Sequence, residues 1–197
     1  MRIARQIGLL LAAVCALSAV AVSSASAGQP LFLSHPTGKL LASAGGSQTF
    51  TTSVGSVVCK SLKLTQGNTT QLRFLSLLVT VQYSECIALG LVPATVDPVQ
   101  YSIDANGLVR LLNTVLILAP EGACEITIPA AKNQSLTTVK FENTTANKGI
   151  LLLANVNKIT SSGNGAGCSY AEESKGTYAG TIHATVDPGT LLWEPNA

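Results

Sequence analysis

Turn-forming residues interrupt this chain so often that no long helix has room to form. Gln66-Gly67-Asn68, Gly90, Pro98, Asn106-Gly107, Asn143 to Gly149, the Gly-rich run Ser161 to Gly167 and Asp187-Pro188-Gly189 each carry turn chemistry. The runs between them are rich in Val, Ile, Thr and Tyr, which suit a pleated, half-buried surface. No segment repeats its apolar residues at the helical period. The pattern predicts about ten short strands in an all-β antiparallel β-sandwich, with a barrel as the alternative closure.

The stretch Val79 to Pro98 stands at the centre of this pattern. It predicts a strand ending at Tyr83, a corner containing Cys86 and Gly-Leu-Val-Pro, and a second strand over Ala94 to Val96. On either side, Gln48 to Ser53, Ser56 to Leu64 and Leu72 to Tyr83 read as strands. In the last of these, Leu75, Leu77, Val79, Val81 and Tyr83 share a face. Asn106-Gly107 is the strongest hairpin signal, following Val99 to Asp104. Leu108 to Leu118 reads as two short strands, because Val109, Thr114, Val115 and Ile117 are β-branched. Cys124, Ile126 and Ile128 alternate with Glu125 and Thr127, the mark of a half-buried strand. Leu136 to Glu142, Ile150 to Thr160, Gly176 to Val186 and Thr190 to Trp193 complete the set, the last as an edge strand.

Arg2 and Arg5, the apolar run Ile7 to Val22 and the small residues Ser23 to Ala27 have the form of a secretory signal peptide, with cleavage expected after Ala27. The run is shorter than the roughly 20 residues that span a bilayer comfortably. Cleavage leaves 170 of the 197 residues, enough for one domain with a sizeable core. Residues 28–47, with Pro30, His35-Pro36 and small residues, read as a weakly ordered lead-in, and 48–197 as the domain. Losing the two arginines reduces twelve basic residues to ten, against ten acidic ones. A net charge near zero disfavours nucleic acid or an anionic membrane as partner.

Four cysteines remain: Cys59, Cys86, Cys124 and Cys168. An even number in an exported chain predicts two disulfides, in any of three connectivities. Zinc ligation would need close pairs such as C-x-x-C, and the gaps here are 27, 38 and 44 residues. The destination read from these features is secreted, extracellular or cell-envelope.

Groups for catalysis are sparse. His35 precedes a proline, and His183 alternates onto a polar strand face with Thr181 and Thr185. A Ser–His–Asp set would draw on Asp97, Asp104 or Asp187, but no strand-to-helix G-x-S-x-G elbow accompanies it. Glu172-Glu173 read as a solvated loop pair, and Glu85, Glu121, Glu125 and Glu194 are scattered. No EF-hand, phosphate-cradling or dinucleotide motif is present, so no cofactor, metal or catalytic residue is assigned. Trp193, Tyr83, Tyr101, Tyr170 and Tyr178 are candidate platforms for sugar or peptide, with core and corner packing as the competing reading. The chain therefore reads as a non-catalytic structural or binding protein. Cell-wall glycan or another envelope protein is its expected partner, and an extracellular hydrolase the further alternative.

Several segments together resemble an uncharacterised family of exported, disulfide-bonded β-rich proteins from high-GC Gram-positive bacteria, the actinobacteria. They are QTFTTSVGSVVC at Gln48 to Cys59, Tyr83 to Cys86 with Gly90 and ATVD at Ala94, APEGACEITIP at Ala119 to Pro129, LTTVKFEN at Leu136 to Asn143, and Gly176 to Gly180. The resemblance implies a signal peptide and a β-rich exported domain, with no established activity. Members carry a further cysteine before the position of Tyr101 and another near that of Arg110. Here Gln100 precedes Tyr101, and no cysteine lies between Cys86 and Cys124. Joint loss of two cysteines that pair with each other implies Cys59–Cys86 and Cys124–Cys168 for the rest.

Overall fold

The structure, a computed structural model, describes residues 28–119, 123–130, 135–137, 139–146 and 148–196. Sixteen strands and no helix form among them. In chain order they are β1 (Leu31–His35), β2 (Lys39–Ala44), β3 (Gln48–Thr52), β4 (Gly55–Gln66), β5 (Arg73–Phe74), β6 (Ser76–Ala88), β7 (Val92–Val96) and β8 (Val99–Asp104). There follow β9 (Leu108–Leu111), β10 (Val115–Leu118), β11 (Glu125–Ile128), β12 (Ser135–Thr137), β13 (Val139–Asn143), β14 (Gly149–Asn164), β15 (Tyr170–Asp187) and β16 (Thr190–Glu194).

Four long strands, β4, β6, β14 and β15, organise the rest, because each changes partner along its length. At one end β6 pairs with β7, β7 with β10, β10 with β11, and β11 with the last residues of β14. From there β14 pairs with β15, β15 with β3, β3 with β4, and β4 with β6, so the path returns to its start. At the other end β6 pairs with β8, β8 with β9 and β9 with β12. There the first half of β14 pairs with β13, and β15 with β2. A small sheet ordered β16-β1-β5 lies apart from this path. Every one of these ladders is antiparallel, as turn-connected strands allow.

Long strands must bend to serve two neighbourhoods, and the bends sit where the ladder slips. The register of β14 on β15 shifts three times between Val156 and Gly163. Lys158 there has φ 62°. Such extra residues kink a strand and increase its twist.

The interior is lined by alternate residues of these strands. Phe32, Ile150 and Leu191 are fully enclosed, with Leu40, Val99, Val81, Ile126 and Val156 nearly so. Each such side chain contributes roughly 1.5–3 kcal/mol of burial. Phe32 packs edge-on to Phe141 at 5.1 Å and stacks on Phe74 at 5.6 Å.

Expectation and structure differ in four places. Residues 28–47 are no loose lead-in: they carry β1 and β2, and Phe32 pairs with Trp193 on one side and Phe74 on the other. The central strand does not stop at Tyr83 but runs through Cys86 to Ala88, and the reversal falls at Leu89 (φ 53°) and Gly90 (φ 79°). The Gly-rich run is strand as far as Asn164, and Glu172 and Glu173 stand on β15 rather than in a loop. Finally, 136–142 divides into β12 and β13, one of several reasons for sixteen strands where about ten were expected.

Both disulfides form. Cys59 and Cys86 are directly opposed on β4 and β6, with Cα atoms 3.9 Å apart. Cys124, just before β11, joins Cys168, between β14 and β15, at 5.4 Å. This is the pairing the family resemblance implies, and two disulfides fit an oxidising environment.

Candidate functional site

The candidate aromatic platforms separate into an inner and an outer group. Alternation on β6, β8 and β15 turns Tyr83, Tyr101 and Tyr178 inward, where they meet at the middle of the fold. Tyr83 and Tyr101 hydroxyls lie 3.1 Å apart, and Tyr83 donates to Tyr178 at 3.4 Å. Tyr178 donates in turn to Gln48 Oε1 at 2.5 Å. Gln48, only 2% exposed, is oriented by its own amide, which donates to the carbonyls of Gly46 and Thr181, each at 2.9 Å. That orientation fixes the direction of the whole chain. Gln48 can only accept from Tyr178, Tyr178 accepts from Tyr83, and Tyr101 is left to donate to Tyr83. Buried hydroxyls thus find partners, as they must in a medium of low polarity.

Burial, with repulsion between neighbouring phenolates second, pushes the Tyr83 and Tyr101 hydroxyls well above the ordinary tyrosine range, and Tyr178 likewise. Gly180 is required beside them, since a Cβ there would run into Gln48 Oε1. Small apolar voids of about 70 and 80 Å³ flank the cluster. Neither approaches the several hundred Å³ of a small-molecule site.

Tyr170 and Trp193 also serve packing. The Tyr170 hydroxyl donates to the enclosed Ser161 at 3.0 Å. Trp193 is half-buried, donates from Nε1 to the Ala105 carbonyl at 2.9 Å, and leans on Phe141 with ring centres 5.7 Å apart. Asn143 holds the same strand: its side-chain amide accepts from Trp193 N at 2.8 Å and donates to Trp193 O at 3.0 Å, as a neighbouring strand would. The five aromatics do not form an exposed row.

The ionisable candidates are dispersed. His35 is exposed at the end of β1, and His183 is exposed on β15 with its ring over Gly45. Neither imidazole makes a hydrogen bond among the described residues. Glu173 pairs with Lys175 at 3.1 Å, and hydrogen bonding to Ser53, then Lys175, holds its carboxyl below the usual range. Glu121 lies outside the described residues. No group of three or more His, Cys, Asp or Glu converges among the described residues.

One broad concavity among the described residues was not anticipated. It is an open groove of about 660 Å³ on the outer face, where β13, β14, β15 and the start of β3 come together. Ladder pairing explains its make-up. Asn155 of β14 faces Ala179 of β15, which faces Thr49 of β3, and one row away Leu153 faces Thr181. Lys140 of β13, paired with Leu153, bounds one side, and Ser47 and Asn157 the others. Four non-consecutive chain segments supply this lining, so no local motif announces it.

No helix among the described residues is long and apolar enough to cross a membrane. No protein-family model, curated protein or solved structure matches this chain. The groove's chemistry is therefore the main functional clue.

Proposed function

We propose that the protein is a non-catalytic, secreted or envelope-associated β-domain with a binding or structural role, a bacterial protein exported through its residue 1–27 signal peptide. The observation that carries this reading is the separation of chemistry from concavity. Three open hollows, of about 660, 450 and 260 Å³, have no histidine or carboxylate in their described lining, and the largest of the three is lined by hydroxyls, amides, one lysine and apolar residues such as Leu153 and Ala179. Histidines and carboxylates stand elsewhere. A hydrolase would need a base beside a nucleophile or a carboxylate pair in one pocket.

Fractionation of the producing cells tests the reading. The expected result is recovery in medium or envelope, with an N-terminus at Gly28 and no free thiol. Recovery from the cytoplasm with reduced cysteines would overturn it. A carbohydrate-binding module is the more specific form of this role, favoured by the polar groove rather than by the aromatics. An extracellular hydrolase is the competitor, and loss of a polysaccharide- or ester-cleaving activity in His183→Ala would establish it instead.

A further inference from the structure

The outward positions of β15 run Thr177, Ala179, Thr181, His183, Thr185. Alanine is disfavoured in strands, while threonine suits them, so Ala179 does nothing for the strand that Thr would not do better. What it does is open the hollow: the row Asn155–Ala179–Thr49 dips where a β-branched side chain would stand. The β15 wall is also braced from within. The Thr181 carbonyl accepts both the Gln48 amide at 2.9 Å and the Gly45 N–H at 2.8 Å, which ties the groove to the buried tyrosine chain. A groove held from behind gives up little freedom on binding.

We propose, on the basis of the binding reading above, that this groove seats a segment of hydroxyl-rich glycan. Hydroxyls of Ser47, Thr49 and Thr181 and the amide of Asn157 each donate and accept, as sugar hydroxyls do. The described lining holds no carboxylate, so nothing there repels an anionic substituent, and Lys140 offers it a point charge. Ala179 and Leu153 supply the apolar contact that an aromatic platform would otherwise give. The volume, about 660 Å³, falls within the range of ligand sites.

The test uses the secreted, disulfide-bonded protein, labelled with ¹⁵N, titrated with cellotetraose and chitotetraose and passed over insoluble cell wall, chitin and cellulose. The expected result is retention on at least one matrix, with amide shifts confined to residues 46–49, 140, 153–157 and 179–181. Ala179→Tyr is expected to weaken binding at least about tenfold. Its thermal midpoint should stay within about 2 °C of the parent, because an exposed strand position tolerates an aromatic residue. Lys140→Ala and Asn157→Ala provide a second route should the tyrosine disturb folding, and each should weaken binding. Retention unchanged in all three variants, or shifts elsewhere, overturns the groove and leaves a binding role standing. No response to any glycan overturns the ligand class, as do shifts in the groove caused only by a Ser-Ala hexapeptide. Fractionation decides the broader reading independently.

Discussion

The direction of the tyrosine chain makes its members unequal, and phenylalanine substitutions expose the inequality. Tyr101 stands at the donor end, so Tyr101→Phe removes one hydrogen bond and leaves only a hydroxyl lone pair on Tyr83 unmet. A net hydrogen bond is worth about 1 kcal/mol. Tyr83→Phe removes two bonds and strands the Tyr101 hydroxyl as a buried donor, which adds a desolvation penalty of about 1–3 kcal/mol. Tyr178→Phe likewise removes two bonds and leaves Gln48 Oε1 without its donor. Expected losses are therefore about 1 kcal/mol for Tyr101→Phe and about 2–4 kcal/mol for the other two. At this size each kcal/mol moves the thermal midpoint by about 2–4 °C. Equilibrium unfolding in guanidinium with disulfides intact, together with thermal melts, measures both. Should Tyr101→Phe cost as much as Tyr83→Phe, the assigned direction is wrong.

Alkaline pH should act on the same cluster. A phenol whose folded pKa is raised contributes stability that is complete below its unfolded value near 10.0 and is lost as pH rises toward the folded value. Stability should hold flat from neutrality to about pH 9 and fall above 10. Tyrosinate absorbance from the three should appear together with unfolding, and smooth titration in the folded state would contradict the burial. Asn143→Ala removes both bonds to the Trp193 backbone, at a cost of about 1–2 kcal/mol. Faster amide exchange over 190–194 and a red-shifted tryptophan emission should accompany it. Replacing both Cys59 and Cys86 by Ser should cost about 3.5 kcal/mol, and the Cys124–Cys168 pair, closing the longer loop, about 4 kcal/mol by the chain-entropy estimate. Peptide mapping without reduction should link only these two pairs.

Where side-chain alternation is undisturbed, the fold is legible from the residues. Tyr178, Ile182, Ala184 and Val186 lie on one side of β15 as their spacing requires, with Thr181 and His183 opposite. Cys124, Ile126 and Ile128 are buried with Glu125 and Thr127 less so. Legibility fails where the ladder slips: bulges between Val156 and Gly163 break the period, so β14 looks shorter than it is. It fails again in β1, whose Leu31–His35 is too short and too close to two prolines to declare itself, and is buried because β16 and β5 flank it. Gln48 looks like a surface residue by type; only its three partners, more than a hundred positions away or two residues back, make burial tolerable. The groove depends on Lys140, Ala179 and Ser47 meeting across strands, and no window of sequence contains all three.

The pairing of β1 with β16 sets how the molecule bears load. Leu31 lies opposite Glu194 and His35 opposite Thr190, so chain preceding β1 and chain following β16 depart side by side. Tension between those two points is directed along the rungs rather than along the strands. The rungs then open singly, Leu31–Glu194 first, and β16 peels away with Trp193 before the ladder of β14 and β15 takes up any force. Both disulfides lie beyond that point, in segments that the first extension does not reach. Tethered by one end only, the same domain carries no force through this weak seam.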